Sequence, residues 1–258
     1  MTARRSVKIV GVITSAEELR LAARMRRPPD LFELRLDHFA KIDMQIPRLP
    51  APLILTARDP REGGANKLSI KQRRRLLAQF LDRAAYIDIE LRNARALKSI
   101  ACRGVAQRSR VDLVRQRTDS PWRARRKKIR VILSFHDFDS TPSVRRLSAM
   151  ASKAKSLGAD VFKVATRTDT QRELARLREF IMGSSRCDDH GRRSAPTLPL
   201  SVMGIGKLAL KSRAELPSTL VYGALKTSRF AGQPTLAQLR QSKRRTLNTE
   251  RRTPNFRL

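Results

Sequence analysis

Eight short apolar segments, separated by helical patterns, constrain the fold of this chain more than any other feature. They lie at residues 7–14, 31–36, 52–57, 85–91, 129–135, 160–166, 198–203 and 219–225. The stretches between them have apolar residues at helical spacing, and the first opens on Ser15 with Glu18 three residues later, which is a helix-start signal. Strands that alternate with helices require right-handed crossovers and form a parallel sheet. Eight such strands in 258 residues predict an α/β fold with a single closed (β/α)8 barrel, the TIM-barrel architecture.

The whole chain, residues 1–258, is predicted to be one barrel domain with a basic tail at about 241–258. Two segments depart from the alternation of strands and helices. Residues 92–128 are longer than one crossover helix needs, which predicts a surface excursion, and residues 183–197 have the composition of a loop. Four adjacent residues of that loop do not match the spacing of metal ligands, so an exposed turn without a metal is predicted for Cys187, Asp188, Asp189 and His190.

The chain is strongly basic, with 56 lysines and arginines, 23 aspartates and glutamates, and a formal net charge of +33. Dense blocks at Arg123–Arg130 and Gln241–Arg252 would attract any polyanion. The basic residues are nevertheless spread over nearly every predicted helix, and aromatic residues that could stack on bases make up only 5% of the chain. We therefore interpret the charge mainly as a property of the solvated surface, with nonspecific attraction to polyanions.

Cysteine content and apolar run lengths bear on the cellular location. Cys102 and Cys187 are the only cysteines, too few for a disulfide framework, which favours a reducing compartment. The apolar stretch near the amino terminus is too short for a signal peptide, and no later segment has the apolar length of a membrane span. A cytoplasmic protein without membrane association is expected.

Lys163 interrupts the sixth apolar segment, GADVFKVATR at residues 158–167. Such a run is typical of a strand that is covered on both faces, where an ammonium group has no natural place. Burial near other cations favours the neutral amine, and a neutral amine can attack a carbonyl to form a Schiff base. For a lysine in an arbitrary strand, an ion pair with a carboxylate is the simpler interpretation. The residues predicted to surround Lys163 must therefore decide between an ion pair and a Schiff-base nucleophile.

Charged residues recur where the predicted strands end, at the carboxyl face on which barrel enzymes carry their active sites. They alternate at period two in FELRLDH and therefore share one face, and others lie in TARDPREGG and YIDIEL. Ion pairs that close the end of the barrel are the favoured interpretation of Asp37, Asp88 and Glu90. A site for a polar substrate is the favoured interpretation of Glu33, Arg35 and Arg58.

His136 lies where the fifth strand delivers a side chain to the mouth of the barrel, one strand before Lys163. A general acid/base and an amine nucleophile would then be neighbours. Elimination next to a carbonyl requires this pair, because the lysine converts the carbonyl into an iminium electron sink and the histidine moves the proton. Glu62 is predicted to hydrogen-bond the imidazole and fix its tautomer.

Six motifs in order resemble one known family, the type I 3-dehydroquinate dehydratases. They are ELRLD at 33–37, TARDPREGG at 56–64, SFHDF at 134–138, GADVFKVAT at 158–166, MGIGKLALKSR at 203–213 and AGQ at 231–233. The ordered set spans nearly all of residues 7–240. The resemblance implies a (β/α) barrel that dehydrates 3-dehydroquinate to 3-dehydroshikimate in the shikimate pathway of aromatic amino acid biosynthesis. It also implies a Schiff-base mechanism without a metal or other cofactor, and a homodimer.

The resemblance assigns a role to each matching position of this sequence. It implies that Lys163 is the Schiff-base lysine, His136 the general acid/base and Glu62 its partner. Positions that contact substrate hydroxyls or form the polar site match Glu33, Arg35 and Arg58. Positions that hold the substrate carboxylate match Arg213 and Gln233.

The match departs from the family near its end. Where the family has a serine, a small residue and a proline before the glycine and glutamine, this chain has Arg229, Phe230 and Ala231. The serine contact is then either lost or supplied by Ser228. Because this loop closes over the substrate in the family, the departure affects affinity and closure more than the chemistry.

Two alternative hypotheses stay open beside the dehydratase, and one further motif is rejected as a cofactor site. GIGKLA at 204–209 fits a dinucleotide fingerprint, but no acidic residue follows at about the expected distance, so we interpret its glycines as a tight turn. A class I aldolase-type Schiff-base lyase would share the strand-six lysine and use other groups around it. A basic nucleic-acid-binding barrel protein is the alternative from a different functional class.

Overall fold

The computed structural model describes residues 7–39, 45–97, 100, 129–183, 198–226 and 232–241. Its strands are β1 (Lys8–Ile13), β2 (Leu31–Arg35), β3 (Leu53–Thr56), β4 (Ala84–Glu90), β5 (Arg130–Asp137), β6 (Val161–Arg167), β7 (Leu200–Ile205) and β8 (Leu220–Ala224). The α-helices are α1 (Ala16–Ala23), α2 (Ile70–Gln79), α3 (Ala94–Leu97), α4 (Val144–Ser156), α5 (Gln171–Gly183) and α6 (Ala209–Glu215). Each observed strand end lies within two residues of its predicted position.

The strands form one parallel sheet in the order β7-β6-β5-β4-β3-β2-β1-β8. β1 pairs with β2 on one side and with β8 on the other, so the last strand of the chain lies beside the first. With helices in the connections, this curled sheet is the predicted (β/α)8 barrel.

Side chains on the seam between β7 and β8 complete the ring. Ser201 Oγ donates to the carbonyl of Leu220 at 2.6 Å, and the hydroxyl of Ser218 accepts from the backbone N–H of Val202 at 2.9 Å. One backbone bond also crosses the seam, from the N–H of Thr219 to the carbonyl of Leu200 at 2.8 Å. The seam is therefore held by hydroxyl groups in place of a regular strand ladder.

Apolar side chains alternate between two layers, one outside the sheet and one inside the barrel. On β5, for example, Val131 and Leu133 pack in the outer layer beneath the helices, while Ile132 packs inside. A strand covered on both faces is apolar at nearly every position, which explains the continuous apolar runs in the sequence. On β6, Val161 and Ala165 belong to the inner layer. Lys163 lies between them at period two and therefore points into the barrel.

A tight turn after β3 brings a second functional group to the mouth of the barrel. Residues Pro60–Glu62 form a 3-10 helix, and Gly63 follows it in the left-handed conformation with φ 82°. Glycine adopts this conformation without the steric cost that a side chain would add. The turn points Glu62, which is buried, toward β5.

Some predicted features lie outside the described residues. These are the turn at 187–190, Cys102, most of the excursion at 92–128, the loop positions 228–231 and nearly all of the basic tail. Within the ranges that the structure describes, no helix is long and apolar enough to cross a membrane.

Candidate active site

An open cavity at the carboxyl ends of the strands contains about 560 Å³ of empty space, counted to its mouth. It is lined by residues from six strands (all except β3 and β4) and from the segments that follow β3, β5 and β8. Seven of the eight predicted site residues are among them: Glu33, Arg35, Arg58, Glu62, His136, Lys163 and Gln233. The sequence separation between these residues shows that the barrel, and no local motif, assembles the cavity.

Lys163 is the buried amine of this cavity, with 4% of the residue exposed. Its Nζ donates to Asp88 Oδ2 at 2.9 Å and to Glu33 Oε1 at 3.5 Å. On another side, the ring of Tyr222 lies beneath Nζ, which is 4.0 Å from the ring centroid. The amine is therefore held by two carboxylates and an aromatic face.

Arg58 lies fully buried beside this lysine and shares its carboxylates. Its guanidinium makes a two-point contact with Asp88, at 3.1 and 2.8 Å, and donates to Ser134 Oγ at 2.6 Å. Burial opposes the charge of Arg58, but Asp88 and Glu90 more than offset this effect and raise its pKa. Burial likewise raises the pKa of Asp88, yet Arg58 and Lys163 together hold that pKa well below its ordinary range. Asp88 therefore stays ionised.

A second buried arginine supports these groups from α2. Arg73 donates to Glu90 Oε2 at 2.8 Å and to Asp59 Oδ2 at 3.0 Å. Asn93 donates to the same two carboxylate oxygens, at 3.0 and 2.9 Å. Glu90 also contacts Arg58 at 3.3 Å, so one hydrogen-bonded network joins the helix layer to the cavity.

Asp37 forms an ion pair, as predicted, and its partner is Arg35. Arg35 Nε and Nη2 donate to the two oxygens of that carboxylate at 2.9 and 2.8 Å, and Nη2 also donates to the carbonyl of Gly63 at 2.9 Å. Asp37 in addition accepts from the backbone N–H groups of Arg58 and Ala65. The pair therefore fixes the β2 end against the turn that carries Glu62.

His136 and Glu62 form the predicted pair. His136 Nδ1 lies 3.1 Å from Glu62 Oε2, which also accepts from the backbone N–H of His136 at 3.1 Å. Burial, together with the cations Arg58 and Lys163, holds the pKa of His136 well below its ordinary value, so the imidazole is neutral. Burial raises the pKa of Glu62 to about 7, with Arg58 opposing the rise and Glu90 adding to it.

The strand register puts His136 next to the lysine. Ser134 on β5 pairs with Lys163 on β6, and His136 pairs with Ala165 two positions nearer the mouth. His136 therefore lies on the strand next to Lys163, nearer the mouth of the cavity that both residues line. This is the arrangement that an amine nucleophile and a proton-transfer group require.

A protein-family model described as "Type I 3-dehydroquinase" matches residues 8–244 of the chain. The chain belongs to the type I 3-dehydroquinase family. The match covers the whole barrel, including both strands of the seam. The predicted family, the (β/α)8 fold and the activity class, 3-dehydroquinate dehydratase, are confirmed.

Individual relatives agree with this family. The chain is 26% identical to a 3-dehydroquinate dehydratase of Thermococcus onnurineus over 238 residues, which cover 91% of this chain and 96% of that protein. It is 29% identical over 223 residues to a bifunctional 3-dehydroquinate dehydratase/shikimate dehydrogenase of Arabidopsis thaliana, covering 81% of this chain and 32% of that protein.

Solved structures share the fold. A type I 3-dehydroquinate dehydratase of Clostridium difficile, with covalently modified comenic acid, superposes with a TM-score of 0.71 at 20% identity, covering 94% of this chain and 93% of that one. The enzyme of Geobacillus kaustophilus gives a TM-score of 0.69 at 24% identity, covering 96% and 93%. At 20% and 24% sequence identity, these two structures show that the fold is shared and nothing further.

Arg213 is the predicted site residue that does not line the cavity. It is buried, and it bridges the seam by donating to the carbonyls of Tyr222 at 3.1 Å and Gly204 at 2.8 Å. Among the described residues it has no carboxylate partner, and burial lowers its pKa to about 10. Its hydrogen bonds to described residues use Nε and Nη1. Gln233, by contrast, is a half-exposed residue of the cavity wall.

The sequence analysis did not identify several buried residues in or around this cavity: Arg73, Asn93, Ser134 and Tyr222. Ser134 could have been found, because it alternates with His136 on one face of β5. Tyr222 lies in an apolar strand and resembles an ordinary core residue. In the part of the chain that the structure describes, no cluster of three candidate metal-ligand residues occurs.

Proposed function

We propose that this protein converts 3-dehydroquinate to 3-dehydroshikimate and water through a Schiff base on Lys163. His136 is the general acid/base, and Glu62 orients and tunes it. The observation that carries the proposal is a buried lysine amine one strand away from a neutral histidine, in the same cavity. This pair supports elimination next to a carbonyl, the reaction of the family.

The reaction begins when the Lys163 ammonium passes a proton to His136 and the freed amine attacks the ketone carbon to form a carbinolamine. His136 returns that proton to the carbinolamine hydroxyl, which leaves as water and gives an iminium ion that withdraws electrons from the neighbouring carbon. His136 removes a proton from that carbon to form an enamine, and the electron pair then expels the hydroxyl group on the next carbon. His136 returns its proton to the leaving hydroxyl, so water departs. Addition of water to the new iminium releases the product and restores the amine.

The electrostatics of the site favour cationic intermediates on Nζ. Asp88 stays ionised, since Arg58 and Lys163 hold its pKa low. Its carboxylate is 2.9 Å from Nζ and can pair first with the ammonium and then with the iminium. A preorganised opposite charge of this kind lowers the free energy of the charged species without reorganisation.

The substrate is held by groups around the lysine. Glu33 and Arg35 are proposed to contact substrate hydroxyls, and Arg58 contributes by fixing Asp88 and Glu33. The substrate carboxylate is assigned to Gln233 and Arg213. The buried guanidinium of Arg213 contacts no carboxylate among the described residues, and a substrate carboxylate would supply the opposite charge.

Borohydride trapping tests the mechanism directly. The protein is incubated with 3-dehydroquinate and borohydride, digested, and its peptides are identified by mass spectrometry, with Lys163→Ala as the control. We expect one adduct, on Lys163, and none in the control. Folded protein that forms no adduct would rule out the Schiff base, and an adduct formed only with sugar-phosphate aldehydes would favour the aldolase alternative.

We also propose that the protein is a cytoplasmic homodimer in which residues 1–258 form one barrel domain and a basic tail. The family resemblance supports the dimer, and the cysteine content supports the compartment. Light scattering coupled to size-exclusion chromatography gives the mass, which should be twice 29.3 kDa. A mass of one chain at micromolar concentration would contradict the dimer.

A further inference from the structure

Tyr222 on β8 is a buried member of the cavity that the proposed mechanism leaves without a role. It lines the cavity together with Lys163 and is 3% exposed. Its ring centroid lies 4.0 Å from Lys163 Nζ. A cation at this distance from an aromatic face is attracted by the ring quadrupole, more strongly when both groups are removed from water.

The ring and Asp88 act on Nζ together. The Asp88 carboxylate contacts Nζ at 2.9 Å through a hydrogen bond, whereas the ring contacts it through its face. A lysine stem has four rotatable bonds, so its amine can swing unless contacts from different sides hold it. Hydrogen bonds to Asp88 and Glu33 on one side and the ring face on another fix the position of the nitrogen, which is what a near-attack geometry requires.

The hydroxyl of Tyr222 does not explain why this residue is present. Its oxygen is buried and has no hydrogen-bond partner among the described residues. Tyr86, the other tyrosine of the chain, also packs inside the barrel, but its hydroxyl accepts from Arg130 at 2.7 Å. A buried hydroxyl without a partner destabilises the free protein. Any favourable contribution of Tyr222 must therefore come from its ring.

We propose that Tyr222 is a further catalytic residue, whose ring face holds Lys163 Nζ in position for attack on the substrate carbonyl and then contacts the iminium. This inference rests on the proposed Schiff base at Lys163. It adds a contact with the reacting nitrogen itself. The ring does not exchange a proton in this role, so a phenylalanine would serve in its place.

Two variants separate the ring from the hydroxyl. Tyr222→Phe keeps the ring, and Tyr222→Leu removes it. Single-turnover borohydride trapping with 3-dehydroquinate gives the rate of adduct formation, and steady-state kinetics give kcat/KM. We expect about tenfold slower adduct formation and a similar loss of kcat/KM in Tyr222→Leu, which corresponds to roughly 1.4 kcal/mol of lost stabilisation. Tyr222→Phe should stay within about twofold of the wild type.

Tyr86→Leu is the matched control, because Tyr86 is also an inner-layer tyrosine with a cation over its ring, Arg130 at 5.0 Å. It should lower the melting temperature and leave the trapping rate of the folded protein unchanged. Equal trapping rates for wild type and Tyr222→Leu would overturn the inference, and so would a Tyr222→Phe variant as slow as Tyr222→Leu. Absence of any adduct in the wild type would instead refute the Schiff base on which both proposals rest.

Discussion

Substitution of Lys163 and substitution of His136 should block the proposed mechanism at different steps. Lys163→Ala removes the electron sink, so turnover should fall to background and no covalent complex should form. His136→Ala keeps the nucleophile, so the iminium can form while proton removal and departure of the hydroxyl lose their catalyst. A general acid/base contributes about 10²- to 10⁴-fold, and a histidine that serves several steps belongs at or beyond the upper end. Trapped adduct and product release, measured on both variants, check this contrast. Normal turnover of His136→Ala would assign the proton transfers to another group.

In the proposed mechanism, Glu62 sets the pH dependence of activity through the tautomer of His136. Its pKa is about 7 because burial raises it, and the imidazole stays neutral on both sides of that value. Below pH 7 the protonated carboxyl donates to Nδ1, which leaves the proton of the ring on Nε2. Above pH 7 the carboxylate accepts from Nδ1–H, and Nε2 becomes the free base.

We therefore expect kcat/KM to rise with pH through an apparent pKa of about 7. In Glu62→Gln the neutral amide accepts from Nδ1–H at every pH, so this inflection should disappear and the remaining activity should be flat across it. A pH profile of both proteins gives the answer. The same inflection in the Gln variant would mean that another group titrates.

At the scale of secondary-structure elements, the buried guanidinium of Arg73 links α2 to the barrel through ion pairs. Arg73 is 2% exposed, and its partners Glu90 and Asp59 are equally buried. Removal of one partner from a buried ion pair leaves uncompensated charge, which costs about 3–5 kcal/mol. Arg73→Met should lower the free energy of unfolding by this amount, as measured by chemical denaturation.

Arg75, two residues along the same helix, provides the control because it is exposed. Arg75→Met should change the free energy of unfolding by no more than about 0.5 kcal/mol. If both variants lost the same small amount, the network around Glu90 would not stabilise the fold.

At the scale of the whole molecule, the sequence predicted the barrel because each strand is an apolar run with helical patterns on either side. It also predicted that Glu33, Arg35 and Arg58 lie together, since polar residues at strand ends meet at one face of a barrel. It could not single out Arg73 among the consecutive arginines 73–75, because only packing decides which one faces the core. It could not foresee that Arg213 would bridge the β7 and β8 seam, because that contact joins backbone carbonyls and leaves no trace in residue types.

The net charge of +33 leaves polyanion binding as the remaining whole-molecule question. If binding to DNA is only attraction to phosphates, it depends on released counterions and should weaken on the order of 10³-fold between 50 and 200 mM salt. Two duplexes of unrelated sequence should then bind equally at each salt concentration, as measured by fluorescence anisotropy. Tight binding that survives physiological salt and distinguishes the two duplexes would make nucleic-acid recognition a main function.

Because the catalytic cavity is lined by paired charges inside the barrel, dehydratase activity at saturating substrate should be insensitive to the same duplexes.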